Sequence, residues 1–408
     1  MSVPQLRFKG FSDGWSNRKV FEILQKVSRP VDVELSQQYR QIGIRSHGKG
    51  IFHKVPVTGA SLGEKRIFWV DENLFVLNIV FAWEQAVAMT TTTEKGMVAS
   101  HRFPMYKPRP NQSVTDYILR FFLTDKGKHY LGLASPGGAG RNKTLGQKNF
   151  EELNLIVPCV AEQTKIATFL TSVDEKISQL TQKSELLTQY KKGVMQQIFS
   201  QALRFKDDKG QDFPEWEETS ISELGKSFTG LTGKSGDDFG EGKPYITYKQ
   251  IFDHSKIDVS KFSYVQIGEK ENQNQVKFGD VFFTTSSETP EEVGTCSALL
   301  TTVKETYLNS FCFGYRINSF DRLNPNFARF AFQSANFRRD VIKLAQGSTR
   351  YNISKTNFMK IRIQLPHINE QTKIANFLTA IDDKINNSQA QLKAAKQYKQ
   401  GLLQQMFV

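Results

Sequence analysis

The feature that most constrains the fold is an internal repeat, because a segment in the middle of the chain returns at its end. Residues 162–167 read Glu-Gln-Thr-Lys-Ile-Ala, and the same six residues stand at 370–375, a spacing of 208 positions that then holds without a gap. The segments before the two copies share only scattered matches. The repeated segments and the segments that precede them were therefore under different sequence constraints.

Both repeated segments have the apolar spacing of long helices. Apolar side chains recur in alternating steps of three and four, which is typical of a two-helix coiled coil. About 39 residues at 1.5 Å per residue predict a rod of about 58 Å. The alternative is an amphipathic face packed on a globular core. The seam residues are Ile166, Leu170, Val173, Ile177, Leu180, Leu187, Val194 and Ile198 in the first copy, and Ile374, Leu378, Ile381, Ile385, Leu392, Ala395, Leu402 and Met406 in the second, with Ser388 filling one position.

Length and charge indicate two domains and an anionic partner. A chain of 408 residues exceeds what one hydrophobic core usually supports. The 54 Lys and Arg residues outnumber the 41 Asp and Glu residues, which gives a net charge of +13. This excess favours nucleic acid or an acidic membrane surface, although an ordinary basic protein would show it too.

The cysteines and the hydropathy pattern exclude several classes of protein. Cys159, Cys296 and Cys312 form no C-x-x-C pair, so we expect neither a disulfide framework nor a zinc site. The first residues lack an apolar signal core, and the longest apolar stretch, 75–83, is shorter than the ~20 residues that cross a bilayer. We therefore expect a location in the reducing cytoplasm and no membrane contact.

Short motifs that occur twice divide the chain into four parts. A Leu-Arg-Phe-Lys segment followed by tryptophan opens at Leu6 and again at Leu203, and a short alternating strand ends at Pro158 and again at Pro366. Asn369 is a reasonable N-cap for the second helix. Each domain mixes strands with a helical piece, at 115–130 and at 325–344, and carries a basic loop just before its terminal strand, at 140–145 and at 347–355. The predicted parts are a first α+β domain at 1–158, a helix at 159–201, a second domain at 202–366 and a helix at 367–408.

The chain resembles the specificity subunit of a Type I restriction-modification enzyme over its whole length. The marks are Pro-x-x-x-Glu-Gln-x-x-Ile-Ala-x-x-Leu at 158–170 and at 366–378, and Leu-Arg-Phe at each domain start. Residues 81–84 (Phe-Ala-Trp-Glu) and 96–103 in the first domain also resemble segments common in this family, and the second domain lacks the Phe-Ala-Trp-Glu segment.

The resemblance implies both a fold and a function. The implied fold is α+β, with two α/β target recognition domains separated by two long antiparallel helices that form a coiled coil, as a pseudo-two-fold repeat. Each domain would read one half of a split double-stranded DNA target. The helix length would act as a ruler, since about 58 Å is between one and two turns of DNA, so an unread spacer is expected. The implied partners are two adenine methyltransferase subunits and, in the full complex, two restriction and translocase subunits. S-adenosylmethionine, ATP and Mg are expected on those partners, and no cofactor on this chain.

DNA contacts are expected from loop-borne cations and a few polar side chains. Phosphate contacts supply most of the affinity, and base edges are read by side chains such as Arg, Asn and Gln. The candidates are Arg45, Lys49, Arg102, Lys107, Arg141 and Lys143 in the first domain, and Lys249, Arg350, Tyr351 and Lys355 in the second.

Partner contacts are expected from polar residues that match between the helices. Residual identity from duplication is the alternative. The candidates are Gln163, Lys165, Asp174, Gln196, Gln371, Lys373, Asp382 and Gln404. Gly193 and Gly401 interrupt the helical pattern at about 1 kcal/mol each against alanine. They are either tolerated or mark a close approach of another chain.

Enzyme motifs are incomplete, so we expect no catalytic residue and no metal ligand in this chain. Residues 324–327 (Asn-Pro-Asn-Phe) approach the Asn-Pro-Pro-Phe/Tyr motif of amino-methyltransferases, but the third residue differs. Gly233-Lys234-Ser235 lacks the glycine that a phosphate-binding loop needs five residues earlier, where Phe228 stands. Two alternatives stay open: a self-contained adenine methyltransferase, and a non-catalytic coiled-coil protein that binds a polyanion.

Overall fold

The computed structural model describes residues 3–63, 66–137 and 143–408. The chain divides into two compact units. Unit 1 comprises Met1–Thr181 and Ala390–Val408, and unit 2 comprises Gln182–Gln389. Two long helices, Val160–Phe199 of 40 residues and Ile368–Gln405 of 38 residues, each contribute one part to unit 1 and another to unit 2. These lengths agree with the about 39 residues that the repeat predicts for each helix.

Unit 1 is built around a four-stranded antiparallel sheet with the order β2-β11-β8-β9. Its strands are β1 Ser16–Lys19, β2 Leu24–Val27, β3 Gln38–Tyr39, β4 Ile42–Ile44, β5 Ile51–His53, β6 Val57–Thr58, β7 Ile67–Trp69, β8 Phe75–Leu77, β9 Val87–Met89, β10 Val98–Ser100, β11 Met105–Pro108 and β12 Asn154–Val157. Its helices are α1 Val20–Ile23, α2 Gly59–Leu62, α3 Thr115–Phe122, α4 Asp125–Leu133, α5 Gln147–Glu151 and the first part of α6 Val160–Phe199.

Unit 2 repeats this frame with a four-stranded antiparallel sheet in the order β14-β21-β17-β19. Its strands are β13 Glu217–Ser220, β14 Gly225–Thr229, β15 Phe239–Ile246, β16 Ser263–Val265, β17 Val281–Thr284, β18 Ser286–Ser287, β19 Cys296–Ala298, β20 Tyr307–Leu308, β21 Cys312–Ile317, β22 Tyr351–Asn352 and β23 Arg362–Leu365. Its helices are α7 Ile221–Leu224, α8 Tyr248–Asp253, α9 Pro325–Ala331, α10 Ala335–Lys343, α11 Lys355–Phe358 and the first part of α12 Ile368–Gln405.

The central strand of each sheet is buried on both faces. Phe75, Val76 and Leu77 in β8 are fully buried, and so are the three apolar residues of β17. Such continuous apolar strands form where helices or loops cover the sheet on both sides. The prediction of two α+β domains on one framework is confirmed, and what differs between the units lies in the loops and small sheets around that framework.

Within each unit the long helices run antiparallel. In unit 1, Ile166 and Leu170 from the start of α6 share a core cluster with Leu402 and Met406 from the end of α12. In unit 2, Val194 and Ile198 from the end of α6 share a cluster with Ile374, Leu378 and Ile381 from the start of α12. Burying such side chains contributes about 1.5 to 3 kcal/mol each as an upper bound. The predicted seam therefore stabilises both units.

The helical piece predicted in each domain is two helices rather than one. In unit 1, α3 ends at Phe122 and α4 begins at Asp125, because the Thr124 hydroxyl accepts a hydrogen bond from the Gly127 amide and caps the second helix. In unit 2, Ser334 caps α10 through the Phe337 amide. Apolar periodicity continues across such a break, so the sequence pattern alone did not reveal it. The predicted N-cap Asn369 is also wrong, since α12 begins one residue earlier, at Ile368.

A buried glutamate ties each long helix to the start of its domain. Glu162 is fully buried and accepts hydrogen bonds from Arg7 Nε at 2.7 Å and Nη2 at 2.8 Å. Glu370 accepts from Arg204 Nε at 2.8 Å and Nη2 at 3.0 Å, and from Trp216 Nε1 at 3.1 Å. These hydrogen bonds raise the pKa of both arginines. The repeated Leu-Arg-Phe and Glu-Gln segments are therefore two halves of one anchor.

The glutamine that follows each glutamate completes this anchor. The Gln163 side chain accepts from the Val114 amide at 3.0 Å and donates to the Pro158 carbonyl at 3.0 Å. Gln371 accepts from the Asn324 amide at 2.9 Å and donates to the Pro366 carbonyl at 2.9 Å.

The role predicted for these two glutamines is therefore corrected. Gln163 and Gln371 are both buried, so they satisfy main-chain groups of their own unit and offer no surface to a partner.

Asp174 and Asp382 also make contacts within their own units. Asp174 accepts from Lys399 Nζ at 2.6 Å and from Arg120 Nη1 at 2.9 Å, so it joins α6 to both α12 and α3. Asp382 pairs with Lys191 at 2.6 Å and with Arg329 at 3.3 Å, which is the same joint in unit 2. Their recurrence 208 residues apart has an intramolecular explanation.

Among the described residues, no helix combines the length and the apolarity needed to cross a membrane. The same part of the chain contains no group of three or more His, Cys, Asp or Glu side chains placed to hold a metal ion.

Candidate nucleic-acid interface

The candidate site is built from three loops that meet at one end of each four-stranded sheet. The exit loop follows the buried central strand and comprises residues 78–86 in unit 1 and 285–295 in unit 2. The lead-in turn precedes the neighbouring strand and comprises 101–104 and 309–311. The basic loop, predicted from the sequence at 140–145 and 347–355, is described in unit 1 from residue 143. We call the three together the three-loop edge.

In unit 1 a single residue holds the three loops together. The Ile79 amide in the exit loop donates to the Arg102 carbonyl in the lead-in turn at 3.0 Å, and the Ile79 carbonyl accepts from the Leu145 amide in the basic loop at 2.8 Å. Arg102 is exposed and Lys143 is partly exposed. Two of the predicted DNA-binding cations are therefore brought together, although they are more than 40 residues apart in the sequence.

The β4–β5 hairpin adds two more of the predicted cations to this edge. The His47 amide donates to the Glu84 carbonyl at 2.7 Å, and the Gly48 amide donates to the Gln85 carbonyl at 3.0 Å. The hairpin carries Arg45 and Lys49, both exposed. Four of the six cations predicted for the first domain, namely Arg45, Lys49, Arg102 and Lys143, thus surround the exit loop.

The exit loop of unit 1 is rigidly seated and carries aromatic side chains. Gln85 lies in the left-handed region at φ 58°, and its side-chain amide donates to the Phe122 and Thr124 carbonyls at 3.0 and 3.2 Å. Lys143 Nζ lies 5.8 Å from the Trp83 ring centroid, and Phe81 is 40% exposed. Aromatic rings interleaved with cations can stack on bases while the cations contact phosphates.

In unit 2 the same three loops meet in the same way but carry different side chains. The Thr285 amide donates to the Phe311 carbonyl at 3.0 Å, and the Thr285 carbonyl accepts from the Ile353 amide at 3.1 Å. Phe311 therefore occupies the place of Arg102, and its ring is 58% exposed. In the exit loop, residues 288–292 (Glu-Thr-Pro-Glu-Glu) replace the aromatic segment of unit 1.

The three loops of unit 2 enclose a cleft of about 460 Å³. Helix α8 forms one wall, where the Tyr248 and Phe252 rings stack with centroids 5.9 Å apart and the Tyr248 hydroxyl donates to the Ser286 carbonyl at 2.9 Å. Burial raises the pKa of Tyr248, so its hydroxyl stays a donor at neutral pH. The other lining residues are Ser286, Ser287, Glu288, Glu292, Phe311 and Arg350.

The remaining predicted DNA-binding residues fall into four groups. Arg350 lines the cleft of unit 2, and Tyr351 lies in β22, which pairs with β18 of the exit loop. Lys249 lies beside the cleft but forms an ion pair with Asp253 at 2.6 Å, and Lys355, the last residue of the basic loop, begins α11. Lys107 is exposed in β11 opposite Gln25, and its described contacts do not place it at the three-loop edge. Arg141 lies outside the described residues.

The partner candidates that remain available cluster on one face of each long helix. Gln196 and Gln404 are exposed, and in the described part of the chain their side chains make no hydrogen bond. Tyr190, 52% exposed, and Tyr398, 57% exposed, occupy equivalent positions about 1.7 turns earlier. We call the two equivalent faces the docking stripes: Tyr190, Gly193, Gln196 and Gln197 on α6, and Tyr398, Gly401, Gln404 and Gln405 on α12.

The glycines of the docking stripes face open space. A Cβ atom added to Gly193 or to Gly401 would meet no atom within 4 Å, so packing within the chain does not require glycine at either position. Both residues lie inside a helix, where glycine is less favourable than alanine.

The other two partner candidates contact the start of their own domain. Lys165 is exposed and lies 5.8 Å from the Phe8 ring centroid. Lys373 donates to the Lys206 carbonyl at 2.7 Å and pairs with Asp208, whose pKa it lowers.

The fragments that resembled enzyme motifs have structural roles. Asn324 caps α9, because its side-chain oxygen accepts from the Asn326 and Phe327 amides at 2.9 and 3.3 Å. Lys234 pairs with Glu271 at 2.5 Å and lowers the pKa of that carboxyl to about 2. Burial raises the pKa of the Cys296 thiol to about 12, so this thiol is not a nucleophile at neutral pH.

Sequence reasoning missed three features of these surfaces. Phe311 and Glu288 gave no signal, because only the strand pairing places them beside Arg350. Tyr190 and Tyr398 were visible as a repeated Gln-Tyr-Lys trio, but exposure in the structure distinguishes them from seam residues.

Comparison with known proteins is consistent with this architecture. The sequence matches the family described as Type I restriction modification DNA specificity domain at residues 66–189 and 214–397. It is similar to the Type I restriction enzyme MjaVIII specificity subunit of Methanocaldococcus jannaschii, with 24% identity over 395 residues that cover 91% of this chain and 87% of the relative.

Two solved structures share the fold. One is the HsdS subunit from Thermoanaerobacter tengcongensis, with a TM-score of 0.52 and 15% identity, covering 97% of this chain and 96% of that one. The other is the Type-I restriction-modification system S subunit from M. genitalium, with a TM-score of 0.58 and 13% identity, covering 100% of this chain and 99% of that one.

Proposed function

This chain belongs to the Type I restriction modification DNA specificity family, and from that membership we propose how it works. Each unit reads one half of a split double-stranded DNA target with its three-loop edge. The docking stripes receive two copies of one methyltransferase subunit. The unread spacer predicted from helix length is part of this proposal.

The observation that carries the proposal is the contrast between the two three-loop edges. Their main-chain hydrogen bonds are the same, through Ile79 in unit 1 and Thr285 in unit 2. Their side chains are cationic and aromatic in unit 1 and mixed acidic, aromatic and cationic in unit 2. One frame with two sets of side chains suits two readers of different sequences, because base edges are distinguished by side-chain donors and acceptors.

Binding strength would come from the cations around the unit 1 exit loop and from the overall charge. Arg45 and Lys49 are exposed on the hairpin, where they can meet phosphates, while Arg102 and Lys143 flank the aromatic segment. A net charge of +13 draws the chain to a polyanion. Phosphate contacts position such a protein, and the few base contacts then specify the site.

The docking stripes support the second part of the proposal. Four residues are identical in both stripes, and neither seam packing nor a side-chain hydrogen bond among the described residues accounts for them. Two equal surfaces on one chain suit two copies of one partner. The exposed tyrosines supply a large apolar contact with a polar tip, and the glycines allow a partner backbone to come close.

We propose that the chemistry belongs to the partners. S-adenosylmethionine would bind the methyltransferase subunits, and ATP and Mg would bind two restriction and translocase subunits in the full complex. The capping role of Asn324 favours this over a self-contained methyltransferase, because its side-chain oxygen is already used by main-chain amides. A cytoplasmic location follows from access to DNA and these partners.

The proposal is tested by reconstitution with the purified full-length chain. Methyl transfer from S-adenosylmethionine to DNA should require both this chain and a methyltransferase subunit, and should occur at one sequence motif. Transfer by the chain alone would instead indicate a self-contained enzyme. Binding to every duplex with equal affinity, with no motif in the complex, would indicate a general polyanion-binding protein.

A further inference from the structure

The cleft of unit 2 places an acidic and a basic side chain at one opening. Glu288 and Arg350 both line it and both are exposed. Within the described residues, neither has an ion-pair partner within 4 Å. Glu292 is different, because one of its oxygens accepts from the Ser287 hydroxyl at 2.9 Å and it thereby shapes the loop. Glu288 and Arg350 are thus available to a ligand.

A carboxylate on a DNA-reading surface needs a specific reason. It repels phosphates and weakens the sequence-independent part of binding. In the major groove, however, a carboxylate accepts a hydrogen bond from the cytosine N4 amino group, and Arg donates two hydrogen bonds to guanine O6 and N7. These two acceptor and donor sets lie on the two bases of one pair.

We propose that unit 2 reads a C·G base pair through this cleft. The Glu288 carboxylate accepts from cytosine N4, and the Arg350 guanidinium donates to O6 and N7 of the paired guanine. This inference rests on the proposed function and names the base pair that one reader takes. Phe311, exposed at the lead-in turn, and the stacked Tyr248 and Phe252 rings form the apolar part of the contact.

The loop that carries Glu288 is fixed from behind. Arg338 in α10 donates to the main-chain carbonyls of Glu291 at 2.8 Å, Val293 at 2.7 Å and Gly294 at 2.7 Å. In the described part of the chain no carboxylate pairs with this guanidinium. Its donors instead hold the main chain of the exit loop in place. Pairing of β18 with β22 joins the other side of the exit loop to the basic loop that bears Arg350. The two reading groups are therefore held on connected main chain.

The test maps methylated sites in cells that produce the full chain with its methyltransferase, by single-molecule sequencing. The wild-type motif should contain a C·G pair at which Glu288→Gln raises methylation of the other base pairs about tenfold to a hundredfold relative to C·G. Arg350→Lys keeps the charge but loses the two-pronged contact, so it should relax the same position. Glu241→Gln is the matched control, since Glu241 is exposed in β15 and does not line the cleft.

The possible results distinguish failure of the C·G assignment from failure of the proposed function. If Glu288→Gln behaves like Glu241→Gln, if the two cleft variants alter different positions, or if the altered pair is A·T, the inference is overturned while the proposed function stands. If the wild-type complex methylates without any motif, the proposed function fails and this inference falls with it. Co-purification of each variant with the methyltransferase verifies that it is folded.

Discussion

At the scale of single residues, the most deeply buried charges serve architecture. Glu370 accepts hydrogen bonds from Arg204 and Trp216. The neighbouring Gln371 side chain accepts from the Asn324 amide and donates to the Pro366 carbonyl. A buried carboxylate is tolerated only when it is paired and hydrogen-bonded. These residues decide where each long helix begins relative to its unit.

Removing the charge of Glu370 should therefore destabilise unit 2. Glu370→Gln removes the fully buried carboxylate of the pair and leaves Arg204 with the exposed Glu215 at 3.6 Å, so the free energy of unfolding should fall by about 3 kcal/mol. Urea unfolding followed by circular dichroism measures this change. Glu175→Gln, on an exposed position of α6, is the control and should change the free energy by less than about 0.5 kcal/mol. Equal effects would contradict the anchor.

The joint at Asp174 predicts a pH dependence. Burial alone would raise the pKa of Asp174, but hydrogen bonds from Lys399 and Arg120 outweigh it and hold the pKa below the ordinary value of 3.8. A carboxyl with a depressed folded-state pKa stabilises the fold above its unfolded pKa, and this stability is lost as pH falls through the folded-state value. Asp174→Asn should thus destabilise the chain at pH 7, and by less at pH 3. Chemical unfolding at both values measures this. A constant difference would contradict the joint.

At the scale of elements, sequence periodicity predicted the long helices well and the loops poorly. The seam from Ile166 to Ile198 is readable because a helix repeats its own geometry locally. The three-loop edge is not, because Ile79, Arg102 and Leu145 meet only when β11 pairs between β2 and β8, and strand order is not written in local spacing. Gln163 was misassigned to a partner for the same reason: the main-chain groups that it satisfies are distant in sequence.

The cations around the exit loop of unit 1 should set the salt dependence of DNA binding. Substituting Arg45 and Lys49 together by alanine removes two phosphate contacts, so the slope of log K against log salt should become shallower by about 2. Lys107→Ala is the control, because Lys107 lies in β11 and not at the three-loop edge. Fluorescence anisotropy of labelled DNA, titrated at several salt concentrations with the complex of chain and methyltransferase, measures the slope for both variants. A slope unchanged by the double substitution would contradict the assignment.

Substitution of the glycines in the docking stripes should change stability and assembly in opposite directions. Gly193→Ala and Gly401→Ala each improve helix propensity, so each should raise the free energy of unfolding by about 1 kcal/mol. The added methyl groups face the proposed partner and should weaken capture of the methyltransferase in size-exclusion experiments. Lys183→Ala on an exposed part of α6 should leave assembly unchanged. Stabilisation with normal assembly would show that the stripes are ordinary solvent-facing helix.

At the scale of the whole molecule, one frame is used twice. The order of strands, the two capped helices and the anchor recur in both units, and both long helices contribute to each. The repeated parts are where the chain packs against itself and where, in our proposal, it would receive equal partners, and the different parts are the loops where DNA would be read. This division explains why the helices kept their identity while the domains before them diverged.

The central claim is that each three-loop edge reads its own half of a split target. The most direct measurement is a methylome map of cells that produce this chain with its methyltransferase, compared between variants of the two edges. Arg102→Ala in unit 1 should alter one half of the motif only, and Arg350→Ala in unit 2 should alter the other half only, with the spacer unchanged. A single continuous motif, or the same half altered by both variants, would contradict the account.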